Sequence, residues 1–169
     1  MTLVINYDRC IKTGECYRVY PELFTTRGDG FPDVLNAEPD GEEYEGEWKN
    51  NQMHGKGVHT FPNGTKYVGE YKNGQRNGKG VFTYKENKYD GSWKDDMMHG
   101  KGTMTYGDGL KYVGQFKNGK IHGKGTMTYP DGAKFVGKFK EGKKHGKGTF
   151  TLPDGKKHSV KFDNDKIIK

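Results

Sequence analysis

The side chains best equipped for chemistry stand near the N-terminus, where Asp8-Arg9-Cys10-Ile11-Lys12-Thr13-Gly14-Glu15-Cys16 holds both cysteines of the chain. Two thiols this close could oxidise to a disulfide, ligate an iron–sulfur cluster, or attack an electrophile. Three readings therefore compete. A cluster-free pair of thiols requires nothing further. A four-iron cluster takes four thiolates and a three-iron cluster three, so Cys10 and Cys16 would need a non-cysteine ligand or a second chain's pair to complete the set. A catalytic thiol needs a base beside it, and no histidine lies near in sequence. Neither cysteine falls beyond residue 16, so no disulfide framework holds the rest of the chain together.

Two other side-chain series recur at regular intervals. His54, His99, His122 and His145 each precede a Gly-Lys-Gly step, with Asn77 in the corresponding place once. Imidazoles bind metals at about 2 Å, but on successive hairpins they would stand roughly 10 Å apart, so turn packing is the better reading and no metal site is expected. Lys56, Lys79, Lys101, Lys124 and Lys147 form a second row, interrupted on the same face by Glu45, Glu47, Glu70 and Asp90. That mixture reads as a solvated face, with anionic lipid or an acidic partner as the alternative and no nucleic-acid motif in sight. The Gly-x-Gly steps are not phosphate loops, because no helix follows them to supply a positive N-terminus.

What must position these residues is a repeat. Copies open at Tyr44, Tyr67, Tyr89, Tyr112 and Phe135, with a fragment from His158, at offsets of 23, 22, 23, 23 and 23 residues. Self-similarity at this period signals a stacked architecture. In the first copy, alternation puts Tyr44, Gly46 and Trp48 on one face of a strand and Glu45 and Glu47 on the other. The return strand puts Gly55, Gly57, His59 and Phe61 together, opposite Lys56, Val58 and Thr60. Later copies keep the division, with Gly78, Gly80, Phe82 and Tyr84 on one side, then Gly100, Gly102, Met104 and Tyr106. Glycine weakens a strand, so its recurrence opposite rings marks places where a ring needs room. Turns such as Pro62-Asn63-Gly64, Pro130-Asp131-Gly132 and Pro153-Asp154-Gly155 join one hairpin to the next. Each hairpin advances the sheet by roughly 10 Å.

Composition agrees with a repeat and not with a large core. Of 169 residues, 30% are hydrophobic and 27 are glycine, so aliphatic core material is scarce. Residues 1–40 carry 4 Lys/Arg against 7 Asp/Glu, net −3, and the remainder carries 25 against 15, net +10. Lysine is a common means of keeping sheet edges unpaired, and it also suits anionic partners. No stretch of 18 apolar residues occurs and no signal-peptide pattern opens the chain. A cytoplasmic protein is expected, with peripheral membrane attachment as the alternative.

The run Tyr67-Val68-Gly69-Glu70-Tyr71-Lys72-Asn73-Gly74, followed by Asn77-Gly78-Lys79-Gly80, closely resembles the MORN repeat. The resemblance implies an all-β fold, an elongated single-layer array of β-hairpins without catalytic residues, serving as a scaffold or protein-interaction module. Membrane phospholipid binding is a further activity proposed for the family. The copies would occupy 44–66, 67–88, 89–111, 112–134 and 135–157, after a junction at 37–43 and before a partial repeat and cap at 158–169. A protein or peptide partner, or a second array, would meet the aromatic face at Tyr44, Trp48, Tyr67, Tyr71, Tyr89, Trp93, Tyr112 and Phe116.

Residues 1–36 have no such period. Their cysteine segment, followed by Tyr20-Pro21-Glu22-Leu23-Phe24 and Asp29-Gly30, resembles the first half of a small single-cluster bacterial ferredoxin. The resemblance implies a small α+β head and iron–sulfur electron transfer as an alternative function. Cys10 and Cys16 match the outer positions of a C-x2-C-x2-C series, but Thr13 occupies the middle, and the distant Cys-Pro is absent. The expected state is therefore without a cofactor, a cluster forming only if further ligands are supplied.

Overall fold

The computed structural model describes residues 24–26, 32–34 and 42–168. The expected head, with Cys10 and Cys16, lies outside the described residues apart from β1 (Phe24–Thr26) and β2 (Pro32–Val34), which pair antiparallel. The array then runs β3 (Glu43–Lys49), β4 (Gln52–Thr60), β5 (Lys66–Lys72), β6 (Gln75–Tyr84), β7 (Asn87–Lys94) and β8 (Met97–Thr105). It continues as β9 (Lys111–Lys117), β10 (Lys120–Thr128), β11 (Lys134–Lys140), β12 (Lys143–Thr151), β13 (Lys157–Asp163) and β14 (Lys166–Ile168). Strands β3 to β14 form one antiparallel sheet of 12 strands in strict chain order, with no helix among the described residues. The chain divides into two compact units, Met1–Gln75 and Arg76–Lys169.

Turn chemistry sets the register. Within a copy, two-residue turns have both central residues left-handed: Asn73-Gly74 at φ 51° and 79°, Asn118-Gly119 at 49° and 78°, and Asp95-Asp96 at 49° and 64°. That conformation matches the right-handed twist of the flanking strands and favours Asn, Asp and Gly. Between copies the loop is longer, and a side-chain cap closes it: Asn63 Oδ1 accepts from the Thr65 amide, and Asp131 Oδ1 from that of Ala133, both at 2.9 Å. The missing residue of the second copy falls in this connection, which shrinks to Lys85-Glu86 between β6 and β7.

The two glycines of each Gly-Lys-Gly step do different work. The first is left-handed, as in Gly100 at φ 72° and Gly123 at 66°. It lies beside the register shifts between Gly91 and Trp93 and between His122 and Gly125, where the ladder takes up an extra residue. The second keeps ordinary strand geometry and gives its space to a ring. A Cβ on Gly102 would come within 2.6 Å of the Tyr89 ring, and Gly91, its cross-strand partner, faces the same ring.

The rings placed on these glycines interlock. In the first unit Tyr44 packs edge-on against Trp48 of its own copy at 5.2 Å between centroids and against Tyr71 of the next at 5.3 Å. In the second, Tyr89 meets Trp93 and Phe116, Tyr112 meets Phe116 and Phe139, and Phe135 meets Phe139 and Phe162, at 4.9–5.5 Å. Each contact is edge-to-face, the geometry that the ring quadrupole favours by about 0.5–1.5 kcal/mol beyond burial.

Gly102→Ala should therefore destabilise the protein by about 1–3 kcal/mol through overpacking, because its backbone would accept alanine and the Tyr89 ring would not. Thermal melting checks this, and an unchanged Tm would remove the spacer role.

Candidate functional site

The eight sequence-selected residues all belong to the ring ladder. Six are buried, among them Tyr67 at 0%, Tyr89 at 1% and Tyr112 at 0% relative exposure, with Tyr71, Trp93 and Phe116 close behind. Tyr44 and Trp48, both on β3, the first strand of the array, are half-buried. The ladder also includes Phe135, Phe139 and Phe162, at the same two places of later copies. Their omission from the selected set was avoidable, because the period alone reaches them.

Polar ends of the ladder are satisfied internally. The Tyr89 hydroxyl donates to the Ser92 carbonyl at 2.8 Å, Tyr67 to Glu70 at 3.0 Å and Tyr112 to Gln115 at 3.1 Å, each three residues on. Trp93 Nε1 donates to the Gly80 carbonyl at 3.0 Å. Burial pushes the phenols of Tyr44, Tyr89 and Tyr112 up to about 12, with Glu47 adding to the first and Asp90 to the second.

What this face offers to solvent is the row carried by the return strands. In the second unit Phe82, Met104, Met127 and Phe150 sit opposite the first ring of each copy and are half-buried, and in the first unit His59 holds the same place. Just beyond them come Phe61, Tyr84, Tyr106, Tyr129 and Leu152. Rings in this row touch one another and the ladder: His59 stacks on Phe61 at 4.1 Å, and Phe82 lies 6.1 Å from Trp93. Two cations lean over the same face of the second unit. Arg76 lies 4.5 Å from the Trp93 ring and is held by Asp96 at 3.0 Å, and Lys144 bonds the Tyr129 hydroxyl at 3.0 Å. The site is thus a half-exposed apolar row, edged with cations, above a rigid floor of buried rings.

The histidine series serves the hairpin turns. His145 Nδ1 lies 3.4 Å from Asp163, and His122 Nδ1 lies 3.6 Å from Glu141. Among the described residues no group of three or more His, Cys, Asp or Glu side chains could hold a metal. Cys10 and Cys16 fall outside the described residues.

A family model described as MORN repeat matches residues 44–66, 67–87, 89–111, 112–134 and 135–157. A search of curated proteins finds no match. Among solved structures, the TCP domain of SAS-4 (dCPAP) of Drosophila melanogaster, in complex with a proline-rich motif of Ana2 (dSTIL), aligns at a TM-score of 0.46 and 12% identity. The alignment covers 82% of this chain and 88% of that one. A likeness of that degree carries no argument about this chain.

The raised phenols make the fold alkali-sensitive. Above pH 10 the unfolded chain's tyrosines release protons while the buried ones hold theirs to about 12, so stability is complete below pH 10 and falls between 10 and 12. Tyrosinate absorbance and circular dichroism followed together should show part of the phenols ionising late, in step with loss of the β signal. Every phenol titrating at about pH 10 on an intact sheet would contradict the burial account.

Proposed function

The chain belongs to the MORN-repeat family, five copies of which span residues 44–157, and on that premise we propose that it is a non-enzymatic interaction module binding a polypeptide partner through its aromatic face. The observation that carries this reading is the half-exposed row of Phe82, Met104, Met127 and Phe150 in the second unit, with its outer neighbours. Contiguous apolar surface of this kind is uncommon unless something covers it. Methionine and aromatic side chains are enriched where proteins meet.

The ladder and the row divide the labour. Tyr67, Tyr71, Tyr89, Trp93, Tyr112 and Phe116 hold the sheet in shape, and the return-strand row makes the contact. Rigid rings beneath the row lower the ordering cost of binding, since the surface is already in its bound form. Tyrosine hydroxyls at Tyr84, Tyr106 and Tyr129 add directional bonds at the rim.

The distinction yields a test. Met127→Ser combined with Tyr129→Ser should leave the thermal transition within a few degrees of the parent and weaken capture of a partner from an extract of the source organism at least tenfold, about 1.4 kcal/mol. Undiminished capture by this variant, with its fold verified by circular dichroism, would contradict the aromatic-face reading.

A further inference from the structure

The opposite face of the second unit carries a separate feature. Between Lys101 and Lys161 the strands contain no acidic residue; the four acids of this stretch, Asp108, Asp131, Glu141 and Asp154, all lie in connections. The acids that interrupt the lysine row in sequence, Glu45, Glu47, Glu70 and Asp90, belong to β3, β5 and β7, before this stretch begins. What reads as a mixed face along the whole chain carries only lysine among the charged strand residues from Lys101 to Lys161, with the Glu141 and Asp163 carboxylates at its edge against His122 and His145. Among the described residues Lys101, Lys124, Lys138, Lys147 and Lys161 have no carboxylate within ion-pair distance.

Pairing makes the concentration costly. Lys124 stands directly across from Lys138, and Lys147 across from Lys161. Like charges directly opposite on a sheet are destabilising. Solubility alone would be served as well by alternating signs, so the arrangement is one that a bound anion relieves.

Beside the lysines runs an apolar row. Val113, Thr126 and Val136 are cross-strand neighbours, and the two valines are 47% and 51% exposed. Lys124, Lys138 and Lys147 line, with these three residues, a shallow hollow of about 410 Å³ floored by the backbone of Gly114, Gly125 and Gly137. We propose that this furrow docks an extended acidic segment of a partner protein, in which carboxylates facing the lysines alternate with apolar side chains facing the valines.

The chemistry selects this occupant. An extended chain puts alternate side chains on opposite sides, about 7 Å apart along each side, and cations recur on strands about 4.8 Å apart, a mismatch flexible lysines absorb. A single-stranded nucleic acid would want Phe, Tyr or Trp rings to stack on, and none lines the furrow. A membrane surface would want Trp, Phe or Leu to insert, where the furrow offers Val and Thr. The proposal concerns the face opposite the aromatic row, so either reading can fail without the other.

The test uses the full chain and a fluorescein-labelled synthetic peptide alternating Glu with Val. Anisotropy at low salt should show saturable binding that weakens at least tenfold in the Lys124→Gln, Lys138→Gln, Lys147→Gln variant and at least threefold in Val113→Ser, Val136→Ser. The peptide with Gln in place of Glu should not bind, and 300 mM salt should weaken binding severalfold, as screening requires. Removing lysines from repelling pairs should leave Tm unchanged or raised, so loss of binding could not be assigned to unfolding. The proposal is overturned by absence of saturable binding or by an unchanged Kd in the lysine variant. It is equally overturned if phosphatidylserine vesicles or a single-stranded oligonucleotide bind the parent more tightly than the peptide does and lose that binding in the lysine variant.

Discussion

Everything in this array depends on one contact made over and over: the edge of one aromatic ring against the face of another. Within each unit the first ring of a copy is wedged between the ring at the fifth position of its own copy and that of the next, as Tyr112 is between Phe116 and Phe139. One contact closes a hairpin and the other joins it to its neighbour. The same interaction therefore supplies local structure and propagation, which is what lets a chain with 30% hydrophobic residues hold an ordered sheet. Glycine is the other half of the device, because Gly91 and Gly102 leave the space that the Tyr89 ring fills.

That use of the rings decides what remains for function. Residues at the two ladder positions are consumed by packing, and the polar ends of Tyr67, Tyr89, Tyr112 and Trp93 are consumed by backbone carbonyls. Under the proposed function, recognition falls to side chains the ladder supports without burying. On one face these are the half-exposed aromatic and methionine side chains of the return strands; on the other they are lysines and valines. The sheet so presents two surfaces of unlike chemistry, each set by alternation along the same strands.

Much of this was legible in the residues. The period, the hairpin, the two faces and the role of the second glycine all follow from Tyr-x-Gly-x-Trp spacing and Gly-Lys-Gly steps, because a two-residue alternation leaves few choices. Depth was not legible. Sequence puts Tyr67 and Phe82 on one face alike, yet the first is fully buried and the second half-exposed, since burial depends on which ring the neighbouring copy places over it. Local charge was also hidden: counting Glu45, Glu70 and Asp90 against the lysine row averages over a chain in which strands β8 to β12 hold no acid. Cys10 and Cys16 lie outside the described residues.

The central claim is that neighbouring copies are coupled through ring contacts across their boundary. A double-mutant cycle on Tyr112 and Phe139, each replaced by Leu singly and together, measures that coupling in denaturant-induced unfolding. The account predicts a coupling energy of about 0.5–1.5 kcal/mol for this pair, and none for the distant pair Tyr112 and Phe162. Strict additivity at Tyr112 and Phe139 would contradict it.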